Sequence, residues 1–293
     1  MNRERSSCYM RVTCSQEALS KGLNIVTKAV PTRTTMSILE CVLIDATANQ
    51  IKLMANDMEI GIETIIDGTI LERGVIAVDA KIFSEMVRHL PNADVTIGSD
   101  PSTFLTTISC GKEHYDLSGK TGSDFPLIPI IPRNQPVVIP QFRLRDVIRQ
   151  TIFSTSENDA NRMMGGELFE IAGDRLRVVS LDGHRISIRN MVLADSYIDQ
   201  KVIVPAKTLN ELSKIMNGGP EEMVNVFITE NHIIFEFEDT TVVSQLIDGD
   251  FFRIDHMLLT DFETKVTLNK KDFLEKITRA NLLVSEVDKK PLI

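Results

Sequence analysis

Apolar and polar residues follow two alternating patterns along the chain. In five segments the apolar residues recur three and four positions apart, which is typical of a helix with one buried face. Shorter apolar runs fill the intervals and end at turn residues, which is typical of strands. Groups of strands with few helices predict an α+β fold with antiparallel sheets. The predicted helices cover residues 18–30, 80–90, 143–155, 206–216 and 272–284.

A short apolar strand is predicted before the first, third and fifth of these helices, in addition to the strands in the longer intervals. Each helix of this kind would therefore follow directly on a strand. The strands before the helices cover residues 10–14, 136–140 and 264–268, and the clearest of the others cover 42–46, 51–55, 105–110, 176–180, 225–229, 232–238 and 241–247.

The predicted elements repeat along the chain with a period of about 126 residues. Ala-Lys pairs open two helices at Ala80 and Ala206, and the Ser-Asp-Phe-Pro of 123–126 returns as Gly-Asp-Phe-Phe at 249–252. Each repeat then reads as a strand, a helix, several strands, a second helix and several further strands. Internal repeats of this length indicate a fold built from copies of one domain.

The repeat predicts how the chain divides into domains. We expect a disordered extension over 1–9, complete domains over 10–132 and 133–260, and the start of a third domain over 261–293. At the observed period the third domain would run on for roughly 80–100 more residues. The alternative is that the last segment is a complete C-terminal helix with a floppy end.

Composition narrows the class of protein. Apolar residues make up 43% of the 293 positions, which is enough to form hydrophobic cores. The four cysteines form no Cys-x-x-Cys pair. No apolar run reaches the ~18 residues that a membrane span needs. The first nine residues lack the apolar stretch of a signal peptide. We therefore expect a cytoplasmic protein with free thiols.

Charge is unevenly distributed between helices and strands. The whole chain has a net charge of −9, yet the windows 16–30, 80–90, 142–152, 206–216 and 269–280 hold 13 Lys and Arg against 6 Asp and Glu. One interpretation is that Lys and Arg are simply favourable on exposed helix surfaces. The other is that the helices face a polyanion, which requires positive charge but no base-reading geometry. No base-reading motif is present, so any DNA binding should be independent of sequence.

The stretch Asp182-Gly183-His184-Arg185 resembles either a catalytic cluster or a tight turn between two strands. Ser180 lies four residues before His184, and no Gly-x-Ser-x-Gly elbow is present. The equivalent turn of the first repeat, with Asn56 in place of Asp182, has no histidine. No phosphate-binding glycine loop and no metal-ligand spacing of histidines occurs. The sequence predicts a turn, no catalytic residues, no metal and no cofactor.

Five motifs, in order and spacing, resemble those of one family. The chain is similar over about residues 10–293 to the bacterial β sliding clamps, the processivity (β) subunits of DNA polymerase III. The motifs are VPTRTTMSIL at 30–39, SDFPLIP at 123–129, NRMMGGELFE at 161–170, LDGHRISI at 181–188 and LIDGDFFRID at 246–255.

The resemblance implies three-domain protomers that join head to tail as a homodimer. Helices would line the hole of the ring, sheets would form its wall, and double-stranded DNA would thread through without sequence recognition. The ring would tether the α subunit of the replicative polymerase, and the clamp loader and other replication and repair proteins would also bind it. It would be an accessory subunit without catalytic residues, located at the replisome in the bacterial cytoplasm.

The resemblance also implies roles for particular residues, with an ordinary solvated side chain as the alternative for each charge. Phe252 and His256 depart from the commoner family pattern, which leaves the preference of the pocket open. The implied DNA contacts are Arg33, Lys81, Arg88, Arg149, Arg162 and Lys207. The implied pocket for partner peptides comprises Met164, Leu181, Gly183, His184, Arg185, Ile186, Phe252, His256 and Met257.

Three functional hypotheses remain open at this point. The first is a sliding clamp, and the second is a truncated relative that forms no ring and only docks partner peptides. The third is an unrelated hydrolase that uses His184. Because the ring of the family joins domain one of one protomer to domain three of the other, we expect this chain alone not to close a normal dimer.

Overall fold

The computed structural model of the chain describes residues 10–156, 161–258 and 261–282. Its contacts divide the chain into a first unit, Met1–Phe251, and a second unit, Phe252–Ile293. The extension predicted over residues 1–9 lies outside the described residues.

All five predicted helices are present among the described residues. Side chains cap three of their N-termini: Ser15 Oγ accepts a hydrogen bond from Ala18 N at 3.1 Å, Asp79 caps the second helix, and Asn269 caps the fifth. The helices are α1 (Gln16–Val26), α2 (Ala80–His89), α3 (Gln141–Thr151), α4 (Ala206–Ile215) and, in the second unit, α5 (Lys270–Asn281).

The strands of the first unit pair antiparallel throughout, as the α+β prediction required. They are β1 (Met10–Ser15), β2 (Cys41–Asp45), β3 (Ile51–Asn56), β4 (Ile60–Ile66), β5 (Thr69–Glu72), β6 (Val75–Asp79), β7 (Asp94–Ser99), β8 (Leu105–Cys110), β9 (Glu113–Thr121), β10 (Val137–Pro140), β11 (Gly166–Leu181), β12 (Ile186–Pro205), β13 (Met223–Ile228), β14 (His232–Phe237) and β15 (Thr240–Gln245). Thirteen of them form a sheet in the order β10-β13-β14-β15-β4-β3-β2-β6-β9-β8-β7-β1-β5, and β11 pairs with β12.

The order of elements confirms the predicted repeat. Helices α2 and α4 begin at Ala80 and Ala206, and the meander β7-β8-β9 returns as β13-β14-β15. In the second repeat the long strands β11 and β12 take the places of β2 to β6, and their pairing is interrupted by register shifts around Gly173. One long bulged hairpin therefore replaces several short strands.

The two repeats join through their sheets. Strand β15 of the second repeat pairs with β4 of the first, with Val242 opposite Ile62. At the same seam the buried hydroxyls of Thr64 and Thr240 lie 2.9 Å apart and share a hydrogen bond. This continuous backbone pairing fixes the relative position of the two helix layers, because a slip by one residue would turn buried side chains outward.

The segment that connects β9 of the first repeat with β10 of the second covers part of the seam formed by β15 and β4. Ile128 lies so close to Gly61 of β4 that a Cβ there would come within 2.6 Å of the isoleucine side chain. Farther along, Ile131 packs with Phe227 and Ile234 of the second repeat. The connector thus contributes apolar contacts to both repeats.

The strand predicted over residues 264–268 does not form. An extended segment needs a neighbouring strand for its backbone N–H and C=O groups. The described part of the second unit contains no other strand with which this segment could pair. Its helix α5 likewise buries no residue. The apolar pattern was that of a strand, but the pairing is missing.

Candidate functional site

Each repeat of the first unit presents a pair of helices. α1 contacts α2, and α3 contacts α4. The apolar faces point into the core: Leu19 and Leu23 of α1 and Phe83 and Val87 of α2 are almost fully buried. The remaining faces of these helices lie at the surface, where most Lys and Arg residues of the helical windows are found; Arg145 is half-buried and donates to the carbonyl of Met216 at 2.8 Å.

All six residues predicted to contact DNA are exposed. Lys81 and Arg88 lie on α2, Arg149 lies on α3, and Lys207 lies at the start of α4. Arg33 lies in the loop after α1, and Arg162 begins a short 3-10 helix, Arg162–Gly165.

Ion pairs distinguish these six residues from one another. Arg88 donates to Glu85 at 2.9 Å, but both side chains are more than half exposed, so the pair is weak and leaves the arginine accessible. Lys207 is paired with Asp57 of the first repeat. The structure gives Arg33, Lys81, Arg149 and Arg162 no ion pair to any residue it describes.

Two of the predicted cations come together in one cleft. Arg162 and Lys207 line a cleft of about 370 Å³ at the seam between the repeats, together with Glu59 and Gln245. Residues far apart in sequence are therefore brought together, one from the loop before β11 and one from α4. The cleft can hold an anionic group such as a phosphate against the arginine.

A second groove at the seam holds cations that the sequence did not single out. It has a volume of about 700 Å³ between α1 and α4, and it is lined by Lys21, Lys28 and Lys214. Lys21 pairs with Glu238 at 3.4 Å, and both side chains are largely exposed. The three lysines could have been found by applying the charge count to each helix face rather than to whole helices.

The stretch 182–185 is a tight turn between β11 and β12. Asp182 Oδ1 accepts hydrogen bonds from His184 N at 3.0 Å and Arg185 N at 3.2 Å, and Arg185 Nε donates to Asp182 Oδ2 at 2.8 Å. Gly183 has a φ of 87°, which favours glycine. The hydrogen bond from His184 N, together with those from Arg185, holds the pKa of Asp182 below its ordinary value.

The first repeat uses the same turn chemistry, as its alignment predicted. Asn56 Oδ1 accepts from Met58 N at 2.8 Å, which corresponds to the bond from Asp182 to His184 N. Ser180 is buried, and its hydroxyl donates to the carbonyl of Thr151 at 2.6 Å rather than to a histidine. The geometry contradicts the hydrolase hypothesis, because no serine, threonine or cysteine side chain among the described residues is hydrogen-bonded to the His184 ring.

The segment 152–156 brings the turn and the predicted pocket residue Met164 together. Ser154 Oγ and Ser187 Oγ lie 2.7 Å apart, and Ser156 N donates to Met164 O at 2.8 Å. The guanidinium of Arg185 stacks over the ring of Phe153, with Cζ 5.6 Å from the centroid. Apolar and cationic surface is thus assembled from segments separated in sequence.

Phe153 is the functional candidate that the sequence analysis missed. Its side chain is 56% exposed, whereas Leu144, Val147 and Ile148 of the preceding helix α3 are buried. An exposed aromatic ring at a helix end, next to a cationic turn, is typical of a binding surface. The apolar pattern included it in the predicted helix 143–155, whereas the α-helix ends at Thr151.

The remaining pocket residues have mixed surroundings. Leu181 is only 2% exposed, so its side chain is part of the core and offers a ligand little surface. Ile186 is partly buried at the start of β12. Phe252, His256 and Met257 belong to the second unit, where His256 ends the 3-10 helix Ile254–His256 and Met257 is half exposed.

A buried carboxyl group lies on β11, three residues after Met164. Glu167 on β11 is fully buried, and neither of its oxygens has a well-formed hydrogen bond to a described residue. Burial raises the pKa of Glu167 to about 8, against a smaller opposite effect of the Thr151 hydroxyl. That hydroxyl donates to the carbonyls of Val147 and Ile148.

The described ranges hold neither a metal-ligand cluster nor a membrane-spanning helix. They contain no cluster of three or more metal-ligating side chains. None of their helices is long and apolar enough to cross a membrane. Cys14, Cys41 and Cys110 are free, as predicted, while Cys8 lies outside the described residues.

Comparison with known sequence families gives two matches. Residues 10–129 match the family described as the N-terminal domain of the DNA polymerase III beta subunit, and residues 138–252 match its central domain. The first range lies within the predicted domain 10–132, and the second lies within the predicted domain 133–260. The exact bounds of the two domains remain a prediction.

Individual relatives agree with these matches. The beta sliding clamp of Bacillus subtilis is 32% identical over 287 residues, which cover 94% of this chain and 75% of the relative. A crystal structure of a β-subunit homologue from Eubacterium rectale is 61% identical, with a TM-score of 0.93 over 94% of this chain and 76% of that one. The sliding clamp of Pseudomonas aeruginosa bound to griselimycin is 27% identical, with a TM-score of 0.87 and coverage of 94% and 75%.

Proposed function

The chain belongs to the family of DNA polymerase III β subunits, the β sliding clamps, and we propose that it acts in DNA replication as a processivity factor. In this function a homodimeric ring encircles double-stranded DNA without sequence specificity. The observation that carries the proposal is the repeated helix pair, positively charged and exposed, in front of a sheet that runs continuously across both repeats. Such a surface holds a polyanion by charge alone.

The protein is an accessory subunit without chemistry of its own. The histidine that suggested catalysis lies in a turn stabilised by Asp182. Ser180, four residues before His184, donates to a backbone carbonyl, and Ser187, three residues after it, shares a hydrogen bond with Ser154. The β subunit would therefore act on the polymerase reaction only by keeping the enzyme at the DNA.

We further propose that the surface around Arg185, Phe153 and Met164 binds short apolar peptides of partner proteins. A thioether and an exposed ring adapt to several apolar side chains, while the turn presents charge beside them. The partners would be the polymerase α subunit, the clamp loader and other replication and repair proteins at the bacterial replisome in the cytoplasm. The contribution of Phe252, His256 and Met257 remains a prediction.

Binding to short duplexes tests the DNA-facing surface. We would measure fluorescence anisotropy with two 30-bp duplexes of unrelated sequence over a series of salt concentrations. We expect equal affinities for both, falling steeply with salt, and a slope reduced by about 0.9 in Arg33→Ala or Arg162→Ala, since each removes one phosphate contact. A marked preference for one sequence, or affinity independent of salt, would contradict the proposal.

Griselimycin, the compound bound in the Pseudomonas aeruginosa structure, is a suitable probe of the proposed pocket. By calorimetry we expect it to bind this chain and to lose affinity in Arg185→Ala and Phe153→Ala. The matched control is His114→Ala, which removes a polar side chain paired with Ser109 on strands β8 and β9. Griselimycin binding without any DNA binding would favour the alternative function, a relative that only docks peptides.

A further inference from the structure

Lys207, the second residue of α4, forms an ion pair with a residue of the first repeat. Lys207 Nζ donates to Asp57 Oδ2, although the two residues are 150 positions apart. The Asp57 side chain is 3% exposed, whereas that of Lys207 is 52% exposed. The carboxylate is therefore inside the seam and the ammonium group at its surface.

The position of the Asp57 carboxylate is fixed by its own turn. Its Oδ1 accepts from Glu59 N at 2.9 Å and from Ile60 N at 2.7 Å. The same turn is fastened to the second repeat, because Gln245 donates from Nε2 to Met58 O at 3.0 Å and from its backbone N to Glu59 O at 2.9 Å. Asp57 cannot follow the lysine if the lysine moves toward another anion.

The first repeat contains an internal comparison. Lys81 lies 126 residues before Lys207 and at the same position of its helix, the second residue of α2. Lys81 is exposed, and it forms no ion pair with a residue that the structure describes. Two lysines in equivalent positions thus differ in whether a carboxylate compensates their charge.

We propose that Asp57 is a positioning residue that holds the Lys207 ammonium group at the seam and cancels its charge toward DNA. The inference rests on the proposed function and deepens it, because it assigns Lys81 a larger contribution to DNA affinity than Lys207. A compensated lysine releases little counterion from the duplex, so it adds little to affinity. At this position the first repeat holds the phosphates through Lys81, while in the cleft of the second repeat Arg162 forms no ion pair with any residue that the structure describes.

The test is the salt dependence of duplex binding by the full chain, with the same 30-bp duplexes. Asp57→Asn keeps an oxygen that can accept from Glu59 N and Ile60 N but removes the charge. We expect its slope to steepen by about 0.9 and its affinity at 0.1 M salt to rise roughly eightfold, since one more phosphate contact forms. Adding Lys207→Ala to Asp57→Asn should abolish this gain.

Two controls separate the inference from general charge effects. Asp100→Asn removes the same charge from a similar turn, in which Asp100 accepts from Ser102 N at 2.8 Å without a lysine partner among the described residues. We expect it to leave the slope unchanged. Lys81→Ala should reduce the slope by about 0.9, and Lys207→Ala in the parent chain by less than half as much. Equal effects of Asp57→Asn and Asp100→Asn would overturn the inference.

Acylation of the unmodified protein gives a second test that requires no variant to fold. With an amine-reactive acetylating reagent and mass spectrometry, we expect Lys207 to react more slowly than Lys81 in the folded chain, because its amine is held by Asp57. Equal rates would overturn the inference even if duplex binding follows the proposed function. Conversely, a slope that does not respond to Arg33→Ala, Arg162→Ala or Lys81→Ala would count against the proposed function itself.

Discussion

We predict that the buried carboxyl group of Glu167 makes the stability of the protein depend on pH. In the first repeat the equivalent position holds Val42, which lies opposite Val78 as Glu167 lies opposite Val204. The perturbation is Glu167→Gln, which keeps the shape and removes the ionisable group. A second variant, Glu167→Val, places the residue of the first repeat in the second.

The magnitude follows from the pKa of Glu167, raised by burial from its ordinary value of 4.5 to about 8. Because the folded state binds this proton more tightly than the unfolded chain, the contribution of Glu167 to the free energy of unfolding is greatest below pH 4.5. It falls by about 1.4 kcal/mol per pH unit as pH rises toward 8 and levels off above that. The whole loss is of the order of 5 kcal/mol.

The assay is urea unfolding followed by circular dichroism at pH 5, 6, 7, 8 and 9. We expect the parent chain to lose stability relative to Glu167→Gln across this range, with the two closest at pH 5. Glu230→Gln, in the exposed turn between β13 and β14, is the matched control and should follow the parent chain. Parallel curves for the parent chain and Glu167→Gln would refute the reasoning.

Three further predictions concern the turn, the seam and the thiols. Gly183→Val should destabilise the chain by about 1–2 kcal/mol and weaken griselimycin binding, because φ of 87° strains a branched residue; thermal unfolding and calorimetry check this. Thr64→Val should cost about 1–3 kcal/mol by leaving Thr240 without its partner, whereas adding Thr240→Val should restore most of it in urea unfolding. Cys14 should resist alkylation at pH 8 until the protein unfolds, since burial raises its pKa to about 12; mass spectrometry of the alkylated protein checks this.

Helices and the repeat could be predicted because their signals are local. The spacing of apolar residues and the Ala-Lys pairs at Ala80 and Ala206 predict α2 and α4 at the residues where they begin. The turn at Gly183 was predictable for the same reason, since an Asp-Gly pair between apolar runs favours a tight reversal. Turn chemistry acts over a few residues, so the sequence alone contains it.

Pairings between distant segments could not be read in this way. The joining of β15 to β4 and the ion pair between Lys207 and Asp57 depend on how two repeats pack, and no local pattern encodes them. The strand predicted at 264–268 fails for the related reason that a strand exists only with its partner. The exposure of Phe153 likewise depends on the segments that surround it.

The central claim, that the protein encircles DNA, is tested most directly by retention on a nicked circular plasmid in gel filtration at moderate salt. The proposed ring predicts that the protein elutes with the circle and is lost when the plasmid is cut once, because a ring can slide off an end. That result would also overturn the expectation from the sequence that this chain alone closes no normal dimer. Equal retention on circular and linear DNA, or no retention on the circle, would contradict the account.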